Sequence, residues 1–238
     1  MSGAASFDAL LLDLDDTLYE EGSYIRSGLR AVAGNIAEAA GRPREEVTRH
    51  LLETLETAGR CRIFDRCLPA FGLEPSIEAI AGLVEAYRSH RPDIGFYPGV
   101  SEMLARLRRR FRLAVVTDGL PRMQRAKVLA LGLEALVDAV VYTWELDRPK
   151  PAVDGFLAAL AALGGTSTRS LIVGDNPDHD LAAAVALDMA AARVRTGRFG
   201  ACPNPPGVRL FRDLALVTEL EPLLMCPPPT LLRIGRHL

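Results

Sequence analysis

The sequence predicts an α/β fold: an open parallel sheet with an all-helical insertion after its first strand. Three observations carry this. Short apolar runs rich in β-formers recur along the chain, each ending in polar residues or glycine; such continuous runs suit strands covered on both faces. Between them lie stretches with apolar residues three and four apart, the alternation expected of a parallel sheet. That rhythm fails over residues 20–95, where amphipathic stretches follow one another with no strand between.

The elements follow in order. "FDALLLD" (Phe7–Asp13) is the first strand. "SYIRSGLRAVAGNIAEAAG", "PREEVTRHLLETLETAG" and "SIEAIAGLVEAYRSH" are the inserted helices, and "FYPGV" (Phe96–Val100) is the return hinge. "VSEMLARLRRR" then places Val100, Met103, Leu104 and Leu107 on one helical face. The second strand is "FRLAVVTDG", and a weaker one lies in "VDAVVYTWE". "PRMQRAKVLALGL" and "AVDGFLAALAALGG" are helices stopped by glycine. "SLIVGDN" and "MAAARVRTG" complete the strands, and a last helix ends near Leu224. The expected layout is a core of residues 1–19 and 96–225, a helical cap over 20–95, and a peripheral tail at 226–238, where Pro227, Pro228 and Pro229 disfavour helix.

Composition narrows the class. The 238 residues are 49% hydrophobic, enough for a full core. Lysine and arginine total 28 against 30 acidic residues, so no net field draws the chain to nucleic acid or anionic membrane. Cys61, Cys67, Cys202 and Cys226 lack metal-site spacing and are expected to be reduced thiols. No run approaches the roughly 20 apolar residues of a membrane span, and the first residues lack a signal-peptide pattern. The expectation is a soluble cytoplasmic protein, monomer or homodimer, with a small-molecule substrate.

The chemistry lies at the strand ends, where open parallel sheets form their sites. In "DLDDTL", Asp13 and Asp15 are two apart and point the same way on an extended chain. At about 4 Å and an effective dielectric near 20 their repulsion is about 4 kcal/mol. The other strand ends offer Thr117 and Asp118, then Asp175, with Lys150 in a short loop. Carboxylates with one lysine and one hydroxyl suit a hard cation and a phosphate; Mg²⁺ takes oxygen ligands from one or two carboxylates, with water and phosphate completing its shell.

These residues form an ordered set: "DLDDTL", "VVTDG", the lysine of "RPKP", and "VGDNPDHD". The set resembles the motifs of the haloacid dehalogenase superfamily, in the phosphatase branch with a helical cap after the first strand. The resemblance spans residues 7–224 and implies a Rossmann-like core and a phosphoric monoester hydrolase. It implies that Asp13 is the nucleophile that becomes an aspartyl-phosphate, and that Asp15 is the acid/base and lends a backbone carbonyl to the metal. Asp175 is then a further Mg²⁺ ligand, and Asp180 orients the metal shell or Lys150. Thr117 and the N–H groups of Asp118 and Gly119 hold phosphoryl oxygens, while Lys150 neutralises developing charge. Asp at position 15 favours phosphoryl transfer over dehalogenation. The implied substrate is a small phosphorylated metabolite, a sugar phosphate or a nucleotide monophosphate. The alternatives are a phosphomutase and a binding protein that kept the fold.

Other residues have plainer readings. Asp16 and Thr17 shape a turn. Gln124 and Lys127 belong to a solvated helix face, and Asp178 and His179 to the surface. Trp144 is expected in the core or against the cap. Arg60, Arg62 and Arg66 face solvent, and "RLRRR" (Arg106–Arg110) is a solvated helix end. Two departures from the family pattern stand out: "KPAV" lacks a second proline, and Asp188 occupies a helix-ending position where glycine is common.

Overall fold

Leu10, Leu11 and Leu12 are fully buried on both faces of β1 (Ala9–Leu12). At roughly 1.5–3 kcal/mol for each buried side chain, this strand is a rigid base for the residues that follow it. The computed structural model describes residues 7–225, so the tail expected at 226–238 lies outside the described residues. The chain divides into two compact units, residues 7–20, 95–124 and 131–225, and residues 21–94 with 125–130.

In the second unit, α1 (Glu21–Ala40) buries Leu29, Val32, Ala33, Ile36 and Ala37, the three-and-four spacing of one helical stripe. α2 (Arg44–Ala58) adds Val47 and Leu51 to that interior, α3 (Ile63–Ala70) adds Ile63, Phe64, Cys67 and Leu68, and α4 (Ile77–Ser89) adds Leu83. Ser76 caps α4 by accepting a hydrogen bond from the Ala79 N–H at 3.1 Å. α3 was absent from the expected helices, its signal broken by Pro69 and by the glycine and arginines before it.

In the first unit, α5 (Val100–Leu107) turns its four expected apolar residues inward. β2 (Arg112–Thr117) leads into α6 (Pro121–Ala130), and β3 (Ala139–Tyr142) into α7 (Asp154–Leu163). β4 (Ser170–Gly174) ends in a π-turn, Pro177–Leu181, before α8 (Ala182–Ala186). β5 (Ala190–Val194), β6 (Arg209–Leu214) and α9 (Leu220–Met225) follow. Among the described residues the sheet is six-stranded, every pair parallel, in the order β3-β2-β1-β4-β5-β6.

Register explains the continuous apolar runs. Leu11 pairs with Ala114 and Ile172, and these pack with Phe156, Ala159 and Leu160 of α7 on one face. Leu10, Leu12, Leu113, Val115, Leu171 and Val173 are equally buried on the other. β6 was not expected; "RLFRDL" is an edge strand, mostly half-buried and joined across an irregular register. The sheet order reverses between β1 and β4, so the crevice lies at their carboxyl ends.

Several expectations need correction. Gln124 and Lys127 are buried, at 1% and 5% exposure, on the inner face of α6 with Val128. Leu129 instead is 78% exposed, so this helix inverts the usual pattern: Gln124 reaches the site, and the Lys127 ammonium lies 4.5 Å from the Tyr24 ring centroid. Trp144 is 45% exposed, because it sits in a 3₁₀ turn just past edge strand β3. Arg106 forms two bonds to Glu221, at 2.6 and 2.8 Å, and Arg108 binds Asp138 at 2.9 Å and the Ala135 carbonyl at 2.7 Å. The run "RLRRR" is thus bonded to the unit it flanks, although its side chains remain partly exposed. Asp188 does adopt a left-handed φ of 50°, and Arg209 donates to its carbonyl at 2.7 Å. Cys61, Cys67 and Cys202 are free thiols. No helix among the described residues is long and apolar enough to cross a membrane.

Candidate active site

Asp13 follows β1 directly, and its N–H continues the ladder to the Val173 carbonyl at 2.8 Å. Its carboxylate therefore stands where β1 and β4 part. Lys150 Nζ donates to Asp13 Oδ1 at 2.6 Å and to Asp180 Oδ1 at 2.7 Å. The Thr17 hydroxyl, itself buried, donates to Asp13 Oδ2 at 3.1 Å. Asp175, Asp13 and Asp180 each turn one carboxylate oxygen to a common point, all within 4.8 Å of one another.

Asp180 reaches that position because Gly174 has no side chain; a Cβ there would overlap the Asp180 carboxylate. Its other oxygen accepts the Asn176 N–H at 3.3 Å. Both oxygens of Asp180 are thus engaged by protein donors.

The electrostatics are severe. Burial pushes the Asp13 carboxyl up to about 7, against the pull of Lys150. Burial, helped by the charges of Asp13 and Asp180, pushes Asp175 up to about 9. Burial also opposes the charge on Lys150, yet Asp13 and Asp180 outweigh it and hold that pKa above the ordinary lysine value. The Lys150 ammonium also lies 5.4 Å from the Phe156 ring centroid. Three carboxylates share one lysine here, so two negative charges stay uncompensated if all ionise. A divalent hard cation fits that donor set in charge and in oxygen chemistry.

A second network lies beside the first. Gln124 Nε2 donates to Asp15 Oδ2 at 2.9 Å, to Thr117 Oγ1 at 2.5 Å and to the Asp118 carbonyl at 2.8 Å. The Tyr19 hydroxyl, fully buried, bonds Asp15 Oδ1. The Asp118 carboxylate Oδ1 accepts the Lys150 N–H at 2.9 Å and the Thr143 hydroxyl. It thereby fixes the loop that carries Lys150. Gly119 follows at φ 127°.

Asp16 is buried, with a left-handed φ of 54°. Its carbonyl accepts the Thr196 hydroxyl, and its carboxylate lies where a Cβ on Gly197 would fall. Arg193 of β5, opposite Gly174 in register, is fully buried and anchors the next loop through the Phe199 carbonyl at 2.8 Å. Burial holds its pKa below the ordinary arginine value.

The structure thus brings Asp13, Asp175, Asp180 and Lys150 into one cluster and Asp15, Thr117 and Asp118 into the adjoining one. Sequence reasoning missed Gln124, Tyr19, Thr143, Arg193 and the Asp118 side chain. Position after a strand end marked the neighbourhood of Gln124 and Tyr19; nothing local marked Thr143 or Arg193.

A Rossmann-like sheet with an acid cluster and a lysine at its switch point defines a class of α/β protein whose site lies at the carboxyl ends of its strands. The chain belongs to the haloacid dehalogenase-like hydrolase family, whose model matches residues 7–188. It is 32% identical over 200 residues to a glyceraldehyde 3-phosphate phosphatase of Methanopyrus kandleri, covering 80% of this chain and 85% of that one. It is 32% identical over 223 residues to a phosphoserine phosphatase of Thermus thermophilus, covering 79% and 88%. Among solved structures, Bacillus subtilis YfnB bound to magnesium aligns with a TM-score of 0.66 at 19% identity, covering 92% of this chain and 99% of that one. That last likeness is one of fold.

Proposed function

We infer that this phosphoric monoester hydrolase uses Asp13 as its nucleophile, requires Mg²⁺, and acts on a small phosphorylated metabolite. The observation that carries the reading is the Asp13–Asp175–Asp180 cluster around Lys150, with charge left over for one divalent cation. Asp13, Asp175 and the Asp15 backbone carbonyl would hold the metal. When bound, Mg²⁺ supplies charge stabilisation to the transferring phosphoryl group and keeps the acids ionised.

The chain's own residues do the rest. Asp13 attacks phosphorus as the ester oxygen leaves. Asp15 gives that oxygen a proton, then takes one from the water that hydrolyses the aspartyl-phosphate. Thr117 and the N–H groups of Asp118 and Gly119 bind phosphoryl oxygens, and Lys150 balances their charge. Asp180 holds Lys150 in place. The helical segment inserted after β1 acts as the cap that excludes water and selects substrate.

Relatives named for glyceraldehyde 3-phosphate, phosphoserine and ribulose-1,5-bisphosphate make sugar phosphates and phosphoserine the first substrates to test. The test is phosphate release from such a panel with Mg²⁺, with EDTA, and in Asp13→Asn. The expected result is release that needs both the metal and Asp13. An isomeric phosphosugar without net phosphate would favour a mutase; no turnover across the panel would favour a binding protein.

A further inference from the structure

The Asp15 carboxylate accepts from the Gln124 amide and bonds the Tyr19 hydroxyl. We propose that Gln124, together with Tyr19, is a positioning residue that aims Asp15 at the leaving oxygen. This rests on the reading of Asp15 as acid/base.

The chemistry of the amide makes the case. Asp15 Oδ2 and the Asp118 carbonyl only accept hydrogen bonds, so the Gln124 atom between them must be the NH₂ group. An amide nitrogen cannot accept. The amide's two hydrogens serve Asp15 Oδ2 and the Asp118 carbonyl, and the Thr117 hydroxyl oxygen lies 2.5 Å from the same nitrogen. One buried amide thus ties one oxygen of Asp15 to the backbone at Asp118.

Tyr19 differs in kind. A phenol can donate or accept, so it serves Asp15 Oδ1 whether or not that oxygen carries the proton. Gln124 therefore fixes Oδ2 and Tyr19 fixes Oδ1, which together set the plane of the Asp15 carboxyl group. In the first step Asp13 forms its bond to phosphorus, the phosphorus–ester oxygen bond breaks, and the proton passes from the Asp15 carboxyl to that oxygen. The buried site of Gln124, at 1% exposure, keeps water from replacing the amide.

Leaving-group dependence separates this role from general support of the fold. p-Nitrophenolate departs without a proton, whereas an alkoxide needs one. Single-turnover rates would be measured in rapid-quench experiments with Mg²⁺ on p-nitrophenyl phosphate and on glycerol phosphate. The proteins are wild type, Gln124→Ala, Gln124→Glu, Tyr19→Phe and Asp13→Asn, each checked by its melting curve. For Gln124→Ala and Gln124→Glu the first turnover of the alkyl ester should fall about 10- to 100-fold, part of the roughly 10²–10⁴-fold that general acid–base catalysis contributes. That of the aryl ester should fall by less than about 3-fold, leaving a burst of nitrophenolate before slow hydrolysis. Tyr19→Phe should show the same sign with a smaller ratio. Equal losses on both esters in the folded variants would overturn the positioning role while leaving Asp13 as nucleophile. Wild-type turnover that persists in Asp13→Asn would overturn both readings.

Discussion

The two halves of the site are built from different materials. Around Asp13 the groups are charged and buried, and carboxylates outnumber the single lysine. Around Asp15 a phenol and an amide hold the carboxylate, and the same amide reaches the Thr117 hydroxyl. The charged half should respond to metal and pH, the neutral half to leaving group and geometry. One fold thereby separates the charge that binds a phosphoryl group from the proton that releases its partner.

The largest effect should come from breaking the charged half. Asp13→Asn should lower turnover by on the order of 10⁴-fold or more, as loss of a nucleophile does, measured by phosphate release at saturating Mg²⁺. Lys150→Met removes the cation shared by Asp13 and Asp180. Leaving buried charge unpaired should cost about 3–5 kcal/mol, read from denaturant unfolding without metal, and Mg²⁺ should restore part of it.

A pH series sharpens the contrast. Asp13 and Asp175 rise from the ordinary 3.8 to about 7 and about 9 in the folded, metal-free protein. The folded state then binds more protons than the unfolded state between those values, so stability falls as pH rises. The fall should begin above about pH 4 and be complete above about pH 9. Mg²⁺ must displace those protons, so its stabilisation should grow over the same window. Melting temperatures with EDTA and with Mg²⁺ test this, as does calorimetry in buffers of different ionisation enthalpy. A flat metal-free curve would remove the charge argument.

Gly174→Ala should affect the charged half without altering any ionisable group. Its Cβ would displace the Asp180 carboxylate, loosening Lys150. Overpacking of this kind costs roughly 1–3 kcal/mol, and Mg²⁺ affinity should fall with it. The smallest effect should lie outside both halves. Asp188→Gly relieves a left-handed residue at φ 50° and should stabilise by about 0.5–1 kcal/mol, with activity unchanged.

The same division governs what the sequence made legible. Asp13, Asp175 and Lys150 follow strand ends or a short loop, so local patterns place them and parallel topology gathers them. β1 and β4 were plain because both faces are buried, and α1 because its stripe is regular. β6 was hidden because an edge strand needs no apolar run. α6 misled because its inner face carries Gln124 and Lys127, and polarity alone suggested solvent. The neutral half depends on contacts distant in sequence, such as Asp15 with Gln124 and Asp118 with Thr143. Those are products of the sheet order, and no spacing in the chain announces them.

The central claim is that the Asp13 carboxylate accepts the phosphoryl group. The direct measurement is rapid quench of the enzyme with substrate and Mg²⁺, borohydride reduction of the acyl phosphate, and peptide mass spectrometry. Conversion of Asp13 to homoserine, dependent on substrate and on Mg²⁺, is the expected result. Full turnover with Asp13 unmodified and no reduced residue in "DLDDTL" would contradict it.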